Sequence, residues 1–315
     1  MVAKNSDKKK RKLKKIIRIF SIILLLYILF FIYSNLDLSK KREYVYYDNI
    51  SMFNETIQYN SEIIKGTESI FLPGGEKAVL LLHGGGGTPI ELKEMAYFLA
   101  GKNISVFVPL LPHQGRTYND LREVDDEESY NVSLFYLKTL KKNYNQVYVG
   151  GLSTGGSLAL KLGENENISG IISLASPITY GINFLGDSTL SLFRIASLIT
   201  PNLRRIEYGL AKNESVAGVL PSFDRLPVSL LIQGELLKRE TKNNLQNIDE
   251  PILILQSNWD NRVAPSSARY IFDHVSSKDK TLIYLNNSGH VMTLDYDKQI
   301  VFEETANFIL KDKEA

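Results

Sequence analysis

Apolar residues recur along this chain in distinct patterns, and the changes from one to another predict its elements. The first pattern is a nearly unbroken apolar run from Ile16 to Tyr33, interrupted only by Arg18 and Ser21. As a helix this run is long enough to cross a ~30 Å hydrocarbon layer, with Arg18 snorkelling to its edge. A polar stretch with scattered Tyr and Ile follows, and it reads as a stalk leading into one or two edge strands. From Thr67 the pattern changes to short, continuous apolar runs. These predict strands at 67–72, 78–82, 104–108, 147–149, 168–174, 251–256 and 281–285. Stretches of helical period lie between them, at 88–100, 125–143, after Ser153, at 264–274 and at 295–310. Strand and helix alternate at the spacing of right-handed crossovers, so the expected fold is α/β, a mostly parallel doubly wound sheet covered on both faces. The alternation breaks between 176 and 250, where irregular helices are expected, 190–199 and 229–237 among them. The chain thus divides into a basic tail at 1–15, a transmembrane anchor at 16–36, a stalk with edge strands at 37–66, and an α/β domain at 67–315.

Charge adds direction to this picture. Over 315 residues the net charge is only +2, which argues against nucleic acid as a partner. The basic residues are unevenly placed, however: nine Lys and Arg fall between Lys4 and Arg18 against one acid, Asp7. The positive-inside bias then keeps the N-terminus in the cytoplasm and sends the rest of the chain across a cell membrane. A cleaved signal peptide fits less well, because the apolar run exceeds the usual ~7–15 residues and no small-x-small site follows it. A buried globular helix is disfavoured by the basic flank. The chain has no cysteine, which excludes disulfides, thiolate metal sites and cysteine nucleophiles. No metal-ligand spacing or cofactor motif is present, so no cofactor is expected.

The candidate chemistry begins at Val147-Tyr148-Val149-Gly150-Gly151-Leu152-Ser153-Thr154-Gly155-Gly156. A G-x-S-x-G pattern between a strand and a helix describes a sharp turn that lifts the serine hydroxyl clear of the sheet. A serine hydroxyl is a weak nucleophile, so it needs a base within reach, and the base needs an orienting acid. On a parallel sheet these groups belong just beyond the C-terminal ends of strands. Asp260 follows the strand at 251–256 by a short loop, and His290 follows the strand at 281–285 by Asn286-Asn287-Ser288-Gly289. Only three other histidines compete. His83 precedes a glycine run and suits a loop-shaping role, His113 could line the site, and His274 ends a helix, where a cation complements the dipole. Glu235 and Asp224, in the interrupting segment, are weaker candidates for the acid. The run His83-Gly84-Gly85-Gly86-Gly87 lacks both the dinucleotide spacing and a Walker lysine. It reads instead as half of an oxyanion hole, with the N–H groups of Gly85 and Thr154 as its donors.

Four segments together resemble the bacterial carboxylesterase/monoacylglycerol-lipase group of the α/β-hydrolase superfamily. They are Leu80-Leu81-Leu82-His83-Gly84, Gly151-Leu152-Ser153-Thr154-Gly155-Gly156, Asp260-x-x-Val263, and Ser288-Gly289-His290-Val291-Met292-Thr293-Leu294-Asp295. The resemblance spans roughly residues 67–311 and is weakest at 176–250. It implies a triad of Ser153, Asp260 and His290, oxyanion donors at Gly85 and Thr154, and a small helical cap formed by 176–250. It departs from the family at two points. Gly85 stands where an aromatic residue commonly lines the acyl pocket, and the family's Gly-His-Gly loop appears here as Pro112-His113-Gln114-Gly115. The expected function is hydrolysis of small acyl esters or lipids through an acyl-serine. A thioesterase or serine aminopeptidase-like hydrolase is the alternative within enzymes, and a non-catalytic, membrane-anchored binding module is the alternative outside them.

Overall fold

The computed structural model of the chain describes residues 2–35, 42–52, 55–179, 189–204, 210–221 and 223–311. Parts of the stretch expected to form a cap (180–188, 205–209 and 222), residue 36 of the expected anchor, and residues 37–41 and 53–54 of the expected stalk lie outside the described residues. Helix α1 (Val2–Asn35) contains the apolar run and continues beyond both its ends. Strands β1 (Tyr44–Met52) and β2 (Glu55–Ile64) follow. They pair antiparallel with each other and not with the main sheet, so they form a separate hairpin where edge strands were expected. Ile63 and Ile64, at the end of β2, are buried.

The main sheet is built from β3 (Ile70–Leu72), β4 (Lys77–Leu82), β5 (Ser105–Val108), β6 (Gln146–Leu152), β7 (Gly170–Leu174), β10 (Ile252–Ser257) and β11 (Lys280–Leu285). Its order is β11-β10-β7-β6-β4-β5-β3, with β6 at the centre. Only β3 runs antiparallel, against β5, and the other pairings are parallel. Successive side chains of a strand point to opposite faces, so each buried strand feeds two cores. Ala78, Leu80, Leu82, Val147 and Val149 enter one core, together with residues of α4 (Asp126–Asn143) and α5 (Thr154–Asn165). Val79, Leu81 and Tyr148 enter the other, under α2 (Ile90–Gly101) and α10 (Lys298–Leu310). Asp125 caps α4 by accepting from the Glu128 N–H, and Lys141 and Lys142 stand in its last turn, a charge order that suits the helix dipole.

The one-turn helix α3 (Tyr118–Leu121) lies between β5 and α4. The segment between β7 and β10 carries α6 (Thr189–Ile199), β8 (Asn202–Arg204), α7 (Glu214–Val219), β9 (Arg225–Pro227) and α8 (Val228–Asn244). Strands β8 and β9 form a small antiparallel pair that hydrophobic patterning did not reveal. Helix α9 (Ser266–His274) joins β10 to β11.

Candidate active site

The junction of β6 and α5 sets Ser153 in a rare backbone conformation, φ 56° and ψ −120°. Such angles crowd a residue that has a Cβ and need support from the surroundings. Support comes from strand β7, where the Leu174 carbonyl accepts the Ser153 N–H at 2.8 Å. The flanking glycines let strand and helix meet. A Cβ on Gly151 would stand 2.3 Å from the Gly155 carbonyl carbon, and one on Gly155 would stand 2.1 Å from the Leu82 carbonyl oxygen. Ser153 directly precedes α5, so the Thr154 N–H belongs to the first turn, where amides have no intrahelical acceptor.

The glycine loop after β4 lies against this elbow. A Cβ on Gly84 would be 3.6 Å from the Ser153 Cβ, and one on Gly85 only 2.8 Å from the Thr154 Oγ1. The two proposed oxyanion donors, Gly85 and Thr154, are therefore neighbours. Three side chains hold the loop. Glu91 accepts the Gly84 N–H at 2.9 Å, and Gln114 accepts the Gly86 N–H at 2.6 Å. His83 is fully buried, its Nδ1 3.0 Å from the Gly84 carbonyl and its Nε2 accepting the Leu111 N–H at 3.1 Å. Burial lowers the His83 pKa to about 4 against the raising effect of its Gly84 hydrogen bond, so the ring stays neutral and both nitrogens are occupied.

Asp260 and His290 leave β10 and β11 at the same edge of the sheet and meet there. The His290 Nδ1 is 2.7 Å from the Asp260 Oδ2, and both residues are buried. Asp260 Oδ1 accepts the N–H groups of Arg262 and Val263 at 2.8 and 2.9 Å, and Oδ2 also accepts from Gln256 at 3.0 Å. Burial alone would raise the Asp260 pKa, but the neighbouring His290 and these hydrogen bonds outweigh it and hold the carboxyl below its usual range. An ionised carboxylate only accepts, so Nδ1 of His290 donates to Asp260 and Nε2 is the ring nitrogen outside that bond.

Asp295 braces the histidine loop. Its carboxylate accepts the N–H groups of Gly289 (2.7 Å), Tyr296 (2.9 Å), Lys212 (2.7 Å) and Asn213 (3.0 Å), tying the loop to the segment before α7. The Leu210 carbonyl accepts the Val291 N–H at 2.8 Å, a second tie between the same two segments. Sequence reasoning assigned no role to Asp295, although it lay in a quoted motif, and none to Glu91, Gln114 or Gln256. The remaining candidates are engaged elsewhere. His113 faces Glu128, His274 stacks on Tyr270 and meets its carbonyl, Glu235 pairs with Lys238 and Arg239, and Asp224 pairs with Arg204.

A parallel sheet with a strained serine at its central strand and a His–Asp pair beyond two later strands defines an α/β-hydrolase. The chain belongs to the family described as serine aminopeptidase, S33 (Hydrolase_4), which it matches over residues 75–297. It is 30% identical over 263 residues to a thermostable monoacylglycerol lipase of Bacillus sp. (strain H-257), covering 79% of this chain and 96% of that protein. It is 28% identical over 240 residues to a carboxylesterase of Bacillus subtilis (strain 168), covering 76% of this chain and 94% of that one. Among solved structures, a metagenome-derived lipolytic enzyme matches with a TM-score of 0.72 at 23% identity, covering 79% of this chain and all of its own, a likeness of fold. The chain is accordingly a lipase/esterase-like α/β-hydrolase.

Proposed function

We propose that Ser153, His290 and Asp260 cleave acyl esters, acylglycerol-type lipids among them, through an acyl-serine intermediate. The enzyme class is carboxylic ester hydrolase, in keeping with the named activities of both Bacillus relatives. The observation that carries the mechanism is the His290–Asp260 pair leaving the same sheet edge as the Ser153 elbow. Ser153 Oγ attacks the carbonyl carbon and gives its proton to His290 Nε2. The carbonyl oxygen gains charge and is held by the Gly85 and Thr154 N–H groups, each worth about 3 kcal/mol in the transition state. Collapse expels the alcohol, which takes the proton from His290. Water, activated by the same nitrogen, then frees the acid and restores Ser153. Asp260 remains ionised throughout and stabilises the imidazolium.

The apolar face over the glycine loop supports an acyl substrate. A Cβ on Gly86 would be 3.3 Å from the Leu230 Cδ2 and 3.5 Å from the Leu226 Cδ2, contacts that support reading the segment between β7 and β10 as a cap over this loop. The apolar helix at Lys14–Tyr33 is read as an uncleaved anchor, its basic tail in the cytoplasm and the α/β domain outside. A panel of glyceryl and nitrophenyl esters from acetate to dodecanoate, with a thioester and an aminoacyl amide, tests the reading. Medium acyl esters should give the highest kcat/KM. Faster turnover of the amide would contradict it and favour a peptidase.

A further inference from the structure

Helix α1 is not a free tether, because hydrogen bonds join it to the segment between β7 and β10. The Tyr27 hydroxyl donates to the Ile199 carbonyl at 3.0 Å. That carbonyl ends α6, where backbone acceptors have no intrahelical donor, so a phenol from the span satisfies it. Six residues further on, Arg204 donates to the Tyr33 carbonyl at 2.7 Å and lies 4.5 Å over the Tyr33 ring, while also pairing with Asp224. Next to the span, Arg42 lies 4.1 Å over the Phe223 ring.

These contacts set depth. From Tyr27 to Tyr33 a helix rises about 9 Å. Half of the hydrocarbon layer is about 15 Å thick. If Tyr33 marks the end of the span, charged Arg204 and Asp224 sit at headgroup level, and the end of α6 lies inside the leaflet on the domain's side. Leu192, Ile195, Leu198 and Ile199 lie on one face and are exposed, Leu198 at 84%. Leu190 is buried toward the protein, where α6 packs on α8. An 11-residue helix this apolar, with Leu198 this exposed, is costly in water but suits lipid.

We propose that the outer turns of α1 and the exposed face of α6 form one surface seated in the hydrocarbon of that leaflet. This rests on the anchor reading above and adds a second, cap-borne membrane contact. Cap residues Leu226 and Leu230 lie against Gly86, so the oxyanion loop faces the same cap that meets the lipid. The substrate class that follows is an acyl ester dissolved in the leaflet rather than in water.

The absence of native cysteine allows single-site labelling of the full chain. Leu25→Cys in the span, Leu198→Cys on α6 and Lys138→Cys on α4 would each carry an environment-sensitive fluorophore in phosphatidylcholine/phosphatidylglycerol vesicles. Lipids bearing a nitroxide on the acyl chain serve as quencher. The proposal expects blue-shifted, strongly quenched emission at 25 and 198, and water-like, unquenched emission at 138. Quenching at 25 with emission at 198 that matches 138 overturns the proposal and leaves the anchor intact. Blue-shifted but unquenched emission at 198 also overturns it, since another protein surface would then cover α6. An unquenched label at 25 removes the anchor reading and the proposal together.

Discussion

Asp260 accepts four hydrogen bonds, from His290, Gln256 and two backbone amides, all of which favour its charged form. In the proposed mechanism it sets the tautomer of His290, so Asp260→Asn should keep the fold and lose about 10⁴-fold in kcat. Steady-state kinetics alongside a melting curve check this, and near-normal turnover in a folded variant would remove Asp260 from the mechanism. The positions of Ser153, Asp260 and His290 just beyond strand ends could be read from the sequence because each sits where a strand pattern stops, and glycines mark the tight turn at Ser153. The groups that hold them were not legible. Glu91 is one acid in the first turn of a helix, and Gln114 is one polar residue in a loop. Only the folded backbone brings them to the Gly84 and Gly86 amides. His83 sat in a motif, but its role comes from full burial, which the sequence does not display.

At the scale of elements, the central strands were legible because buried parallel strands are continuous apolar runs, and the crossovers between them have helical period. The short strands β8 and β9 were not, because three residues carry no period and their pairing joins segments about 20 residues apart. The hairpin β1–β2 was expected as edge strands, since a half-polar strand pattern does not reveal its partner. Packing of α4 and α5, with α8 nearby, brings together a charged cluster that makes a pH prediction. Burial, then the charge of Asp125, raises the Asp126 pKa to about 7, against the lowering effect of Lys161. In the unfolded chain an Asp titrates near about 3.9. Between these values the folded protein binds a proton that the unfolded chain has released, so this group costs stability as pH rises toward about 7. Asp126→Asn should therefore gain Tm relative to the parent as pH rises from about 4 to about 7, and level off above that. Melting curves across this range check it, and a pH-independent difference would contradict the sign.

At the scale of the whole molecule, the two cores of the α/β domain draw no residue from α1 among the described residues, and the membrane-length part of α1 is not buried in the protein. A chain beginning at Tyr44 should therefore fold and hydrolyse a soluble short ester as the full chain does. A folded but inactive product would show that the span shapes the site. The apolar helix was legible from hydropathy, but its contact with α6 was not, because Tyr27 and Ile199 are 172 residues apart. The central claim is that ester cleavage runs through Ser153, and covalent labelling with a fluorophosphonate followed by peptide mapping tests it most directly. The account predicts one adduct, on the peptide containing Ser153, absent from Ser153→Ala and prevented by prior heat unfolding. An adduct on another serine, or labelling that persists in Ser153→Ala, would contradict it.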